Sequence, residues 1–166
     1  MLGGKHPRAK IEVHDVVFAV GDTLSDTYSQ LHQQWFGDPE HCHIDSWMAV
    51  DGIDEYKVSL GPAMPGPGQP KLYFINLGGY RDGIFGEEHR FLLMPATDAK
   101  AAKTKGKQHL LKEWDKPHTD AIVDIDDCIP IEAVGNLFVH LEQGHAHQGV
   151  RTGNDYIILS SAPERR

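Results

Sequence analysis

Along EVHDVVFAV, Glu12 to Val20, Val and Phe predominate and apolar residues alternate in part with polar ones. This is a strand pattern, because side chains on a strand point to opposite faces in turn. Glu12, His14, Val16, Phe18 and Val20 then share one face. Being the more apolar, that face is expected to look toward the core, with Glu12 and His14 at its rim. The period changes in DTLSDTYSQLHQQWF, where Leu24, Tyr28, Leu31 and Trp35 recur at helical spacing. Thr23 and Asp26 supply a capping box for that helix. HCHIDSWMAV leads into a short extended segment, and YKVSL, Tyr56 to Leu60, reads as a further strand.

The same order recurs downstream. KLYFIN, Lys71 to Asn76, reads as a strand, and Glu87, His89, Phe91 and Leu93 share a face of the next. Thr97 or Asp98 caps a second helix with the stripe Ala99, Ala102, Gly106, Leu110 and Trp114. Its residues are smaller, so this helix is expected to pack closer to its sheet, with Gly106 weakening it modestly. KPHTDAIVDI leads into another extended segment. NLFVHLEQ and DYIILSS read as two tail strands joined by GHAHQGVRTGN.

The recurrence is also one of residues. LGGKHPRAKIEVH from Leu2 and LGGYRDGIFGEEH from Leu77 stand 75 residues apart. In that register Glu12 matches Glu87, His14 matches His89, His43 matches His118, Asp45 matches Asp120 and Asp51 matches Asp126. Self-similarity at a fixed offset is the signature of a repeated supersecondary unit. GPAMPGPGQP between the copies reads as a loop. The expected organisation is copy one at 1–60, a Pro/Gly linker at 61–70, and copy two at 71–166 with a C-terminal hairpin. Leu-Gly-Gly reads as a strand-ending turn, since glycine adopts positive φ without steric cost. A strand rather than a helix follows it, which argues against a phosphate loop. KLYFIN precedes the second Leu-Gly-Gly and only Met1 the first, so a natural start upstream of Met1 is expected. The fold class is α+β: two tandem strand-strand-helix-strand repeats, mainly antiparallel, packed with pseudo-twofold symmetry.

Composition narrows the partners. The net charge is −8, and Lys100, Lys103, Lys105 and Lys107 form the richest basic run, best read as a solvated helix face. No nucleic-acid partner is expected, because phosphate backbones need positive patches. Short apolar runs argue against a membrane partner. Cys42 and Cys128 lack CxxC partners, which fits a cytoplasmic protein. A homo-oligomer is expected.

The candidate chemistry is Glu-x-His plus His-x-Asp in both copies: Glu12, His14, His43, Asp45, Glu87, His89, His118 and Asp120. Histidines and carboxylates serve as metal ligands and as acid–base groups. They also serve as hydrogen-bond partners that hold a fold together. His14, His43, His89 and His118 are the metal candidates, but the sequence requires no cofactor. His41, His140, His145 and His147 match no closed zinc pattern. Cys42, between two histidines, is the one thiol worth testing. Two readings stay open. One is a non-catalytic binding or interaction module built by duplication; the other is a metal-dependent, hydrolase-like enzyme using these residues.

The strings EVHDVVF, HIDSW, INLGGY, EEH and HTD followed by DIDD resemble the domain-of-unknown-function family numbered 1543. The resemblance covers most of the chain. It implies a small bacterial protein with one or two copies of the domain and a strand before the first Leu-Gly-Gly. It brings no established activity. Arg90 in place of Asp15, Thr119 in place of Ile44 and Ile122 in place of Trp47 suggest that the copies differ.

Overall fold

The computed structural model describes residues 1–80, 82–113 and 123–159, with side chains omitted at 110–113 and 123. In chain order it has β1 (Leu2–Gly4), β2 (Val13–Asp15), a 3-10 turn (Leu24–Thr27) running into α1 (Tyr28–Gln34), and a second 3-10 turn (Pro39–His41). Four short or medium strands follow: β3 (His43–Ile44), β4 (Trp47–Val50), β5 (Gly52–Ile53) and β6 (Tyr56–Gly61). Then come β7 (Lys71–Gly79), β8 (Glu88–Ala96), α2 (Ala99–Glu113) and β9 (Val123–Ile131). The chain closes with β10 (Ala133–Val134), β11 (Leu137–Gln143), β12 (Val150–Gly153) and β13 (Ile157–Ile158). Every strand pairing among the described residues is antiparallel. The fold is therefore α+β with antiparallel sheets and few helices.

Contacts divide the chain into two compact units, Met1–Val50 with the stretch from Val150 onward, and Asp51–Gly149. The first unit carries a sheet of order β13-β3-β1-β2 and the pair β12-β4. Leu2 pairs with Ile44, and these two pack with Leu31, Trp35, Cys42 and Leu159 into the unit's core. Val13, Val17 and Ala19 also lie against it. Asp26 accepts a hydrogen bond from the Thr23 backbone N–H at 2.8 Å, the reciprocal half of a capping box at the start of the helical segment. The Thr23 hydroxyl, donating to Asp26 Oδ2 at 2.7 Å, and then this backbone bond hold the Asp26 carboxyl below its usual range.

The second unit carries a sheet of order β8-β7-β9, with α2 on one face, and a sheet of order β10-β11-β6-β5. Tyr73, Ile75 and Leu77 of β7 meet Ala102 of α2, with Leu92, Met94 and Ile125 around them. A Cβ on Gly106 would stand 3.0 Å from Ile75 Cδ1, so the small helical stripe does bring helix and sheet together.

Three local expectations change. Leu-Gly-Gly is no turn: Leu2–Gly4 is β1, and Leu77–Gly79 closes β7, with no positive φ at any of these glycines. Gly3, Gly4 and Gly78 instead leave room on the inner strand of their sheets for neighbouring groups. Gly4 sits on the core face, where a Cβ would lie 2.4 Å from the His41 carbonyl oxygen and 2.9 Å from Trp35 Cζ2. The second change concerns the face. β2 ends at Asp15, so alternation cannot carry through Val16, Phe18 and Val20. Val13 faces the core, and Glu12 and His14 face outward. The third concerns the tail. β11 pairs with β6 and β10, while β12 pairs with β4 and β13 with β3, so among the described residues no hairpin joins the tail strands to one another.

Candidate functional site

The outer face of the first sheet gathers the four polar residues of the first Glu-x-His and His-x-Asp. Gly3 of β1 pairs with His14 on one side and His43 on the other. Residues paired in register project from the same face. Alternation places Glu12 with His14, and Asp45 with His43. Their separations are short: His43 Nε2 is 3.0 Å from Glu12 Oε1 and 3.1 Å from Asp45 Oδ1. His14 Nε2 is 3.3 Å from Asp45 Oδ2 and 3.8 Å from Glu12 Oε2. Glycine at position 3 is what permits this, because a Cβ there would sit 2.5 Å from Asp45 Oδ2 and 2.6 Å from His43 Nε2.

Burial is graded across the cluster. The Glu12 and His14 side chains are 49% exposed and Asp45 28%, whereas His43 as a residue is 4% exposed. His43 Nε2 and Asp45 Oδ2 are buried and make no hydrogen bond. The carboxylate oxygens lie near enough to His43 Nε2 for one, but neither is aligned with the ring N–H direction. On its other side His43 meets Tyr156, with ring centroids 4.4 Å apart and the Tyr156 hydroxyl 3.5 Å from Nδ1.

The second unit repeats the frame with different occupants. Gly78 of β7 pairs with His89 of β8 and with Asp124 of β9. His89 Nε2 lies 3.7 Å from Glu87 Oε2 and 3.4 Å from Asp126 Oδ2. Glu87, His89 and Asp126 each offer a ligand atom, all within 4.8 Å of one another. A Cβ on Gly78 would stand 2.2 Å from Asp126 Oδ2 and 2.6 Å from Glu87 Oε1. Asp126 reaches this position through a register shift between Asn76 and Leu77, a bulge that redirects a side chain. Where the first unit has His43, the second has Asp124, and Lys107 Nζ binds its Oδ1 at 2.9 Å. That ion pair, with the Ile125 N–H, holds the Asp124 carboxyl below its usual range.

The sequence expectation thus divides. The structure brings Glu12, His14, His43 and Asp45 together, and brings Glu87 to His89. His118 and Asp120 lie outside the described residues. Asp126 was matched to Asp51 rather than placed in the cluster. The signal that finds it is the Ile-Asp shared by HID at 43–45 and DID at 124–126, a register of 81 rather than 75.

The remaining candidates serve elsewhere. Cys42 is fully buried, and burial pushes its thiol up, away from reactivity. His41 Nδ1 binds Asp38 Oδ2 at 2.8 Å. His140 Nε2 binds the Ala63 carbonyl at 2.9 Å. His145 Nδ1 lies 3.6 Å from Glu142 Oε2. His147 accepts from the Gly149 N–H at Nδ1, leaving Nε2 to donate to the Asp54 carbonyl at 3.2 Å.

With this geometry in place, the likenesses to known proteins are as follows. Residues 9–60, which carry Glu12, His14, His43 and Asp45, match the Domain of Unknown Function family DUF1543. The resemblance read from the motifs therefore holds over that segment. Across nearly the whole chain, the structure is similar to the crystal structure of protein Il1583 from Idiomarina loihiensis. The TM-score is 0.72 at 28% identity, over 96% of this chain and 94% of that one. No curated protein matches. No helix among the described residues is long and apolar enough to cross a membrane.

Proposed function

We propose that this chain is a ligand-binding module built by internal duplication, with its binding site at Glu12, His14, His43 and Asp45. The observation that carries this reading is the convergence of four polar side chains over Gly3. A purely structural network would leave its buried polar atoms hydrogen-bonded. Here His43 Nε2 and Asp45 Oδ2 are buried and make no hydrogen bond, although charged neighbours stand close. An unmet buried polar group costs about 1–3 kcal/mol, which a ligand can offset.

Duplication is supported by two registers. Residues 2–14 match 77–89 at an offset of 75, and residues 43–60 match 124–141 at 81, the difference falling in the helical segment. The second register makes Ser59 and His140 equivalents, and these two face each other where β6 pairs with β11. Val58 pairs with Leu141, and Leu60 with Val139, so the pairing reads alike from either copy. This is what a pseudo-twofold relation between hairpins produces. Under this reading each copy runs through its third sheet strand and then lends a hairpin to a shared sheet.

The test is native mass spectrometry of untagged full-length protein purified without chelator. An excess mass on the wild type, absent from His14→Ala, supports the module. A wild type at its bare chain mass under these conditions, together with the absence of uptake from a panel of added ions and small anions, overturns it.

A further inference from the structure

We infer that the ligand of the Gly3 cluster is one divalent transition-metal ion, held by Glu12, His14, His43 and Asp45. This rests on the binding-module reading and names the class of ligand.

Four observations point the same way. The first is the donor set. Two imidazoles and two carboxylates suit zinc, iron(II), manganese or nickel, whereas magnesium and calcium favour oxygen ligands alone. With both imidazoles neutral, the two carboxylates bring a charge of −2, which a divalent ion cancels. The second is spacing. Metal bonds of about 2.0–2.1 Å place tetrahedral ligand atoms about 3.3 Å apart. The separations between imidazole nitrogen and carboxylate oxygen here run from 3.0 to 3.8 Å. His43 faces one oxygen of each carboxylate and His14 the other, so both imidazoles lie within ligand-edge distance of both carboxylates.

The third is the unpartnered nitrogen. His43 is 4% exposed, and its Nε2 is buried in the cluster without a hydrogen bond. Nε2 stands 3.0 and 3.1 Å from two carboxylate oxygens and hydrogen-bonds to neither. A cation bound to its lone pair, with the ring proton on Nδ1, would meet the nitrogen and the carboxylates together. The fourth is Tyr156. A ligating imidazole typically donates its other N–H to an outer partner, which fixes its tautomer. The Tyr156 hydroxyl, 3.5 Å from His43 Nδ1, is placed for that task. We assign it as a positioning residue.

The second unit carries no such assignment. Its Glu87, His89 and Asp126 include one histidine, none of the three is buried as His43 is, and the fourth position holds an aspartate paired to Lys107. One ion per chain is therefore expected.

The experiment uses untagged full-length protein, since a histidine tag would bind the same ions. Elemental analysis after purification should find close to one transition-metal ion per chain. Chelator-stripped protein should gain thermal stability with zinc or manganese and show no gain with magnesium. His14→Ala, at a half-exposed position, should fold and lose affinity by on the order of a hundredfold or more; His89→Ala should bind as the wild type does. Tyr156→Phe should lose about tenfold, as outer-shell partners do, and shift the visible spectrum of the cobalt(II)-loaded protein. Absence of metal from the purified protein with no zinc or manganese response after stripping overturns the inference, as does metal retained in full by a His14→Ala, Asp45→Asn double variant. An organic molecule found on the wild type by native mass spectrometry, at the Gly3 cluster and without metal, overturns the metal while leaving the binding module intact. A bare chain that takes up nothing overturns both.

Discussion

Gly3 and Gly78 occupy the same place in two sheets, and the difference between their surroundings is instructive. Each lies on a middle strand between a Glu-x-His strand and a strand bearing Ile-Asp. Each lacks a side chain where carboxylate oxygens crowd in. The frame belongs to the backbone: antiparallel registers fix which residues face the glycine. The chemistry belongs to one position on the third strand. His43 in the first unit supplies a buried imidazole with an unmet nitrogen. Asp124 in the second supplies a carboxylate that Lys107 has already engaged. Under the proposed reading, two sheets with the same frame hold a binding site in one case and an ion pair in the other, and they differ at this position and at the bulge beside Asp126.

The comparison can be broken at several points. The largest effect on stability is expected from Gly4→Ala, because the new Cβ would press on the His41 carbonyl, which is backbone and cannot swing aside. Overpacking of this kind costs about 1–3 kcal/mol, and this substitution should fall at the upper end in chemical denaturation. Gly3→Ala should cost less stability, since it meets side-chain ends, yet abolish metal uptake in elemental analysis. Gly78→Ala should cost a similar amount and leave uptake unchanged; equal loss of metal from both would erase the distinction between the units. The reverse experiment is Asp124→His with Lys107→Ala. It gives the second unit two imidazoles beside two carboxylates, and bound metal should rise from one ion toward two per chain. A count that stays at one would show that the bulge at Asp126, rather than residue 124, sets the difference.

The smallest effect is expected from Asp26→Asn at the start of the helical segment in the first unit. The Asp26 carboxyl titrates below its usual value in the folded chain because Thr23 donates to it. Its contribution to stability is present above the unfolded-state pKa and is lost as pH falls through the folded-state value. Asparagine should therefore lower the melting temperature slightly near neutral pH, and the gap should close in acid. Asp98→Asn is the matching change in the second unit, where Asp98 Oδ1 accepts from the Ala101 N–H at 2.8 Å.

Much of the first cluster was legible because Glu12 with His14, and His43 with Asp45, stand two residues apart and strand geometry sends each pair one way. The role of the glycines was not legible. A Gly-Gly pair in a sequence is compatible with a turn or with a strand that needs room, and only the neighbours across the sheet decide between them. Asp126 was not legible as a member of the second cluster for a related reason. The offset of 75 leads from His43 and Asp45 to His118 and Asp120, which lie outside the described residues, whereas an offset of 81 leads to Asp124 and Asp126. The outward aim of Glu12 and His14 was missed because β2 stops at Asp15, where a longer strand would have made the other face the core. The antiparallel α+β class needed none of these details, since strand and helix periods alternate plainly along the chain.

The placement of β13 against β3 has a consequence for synthesis. Leu159 donates its backbone N–H to the Cys42 carbonyl, and its side chain completes the core around Leu2 and Trp35. During translation the amino-terminal unit emerges first and must wait, with its apolar face open, until more than a hundred further residues have been added. Contacts of such sequence separation form slowly, and waiting surfaces of this kind invite chaperones. Of the two units, the one whose residues begin first along the chain is then the later to have them all, and His43 meets Tyr156 only after residue 156 has been added.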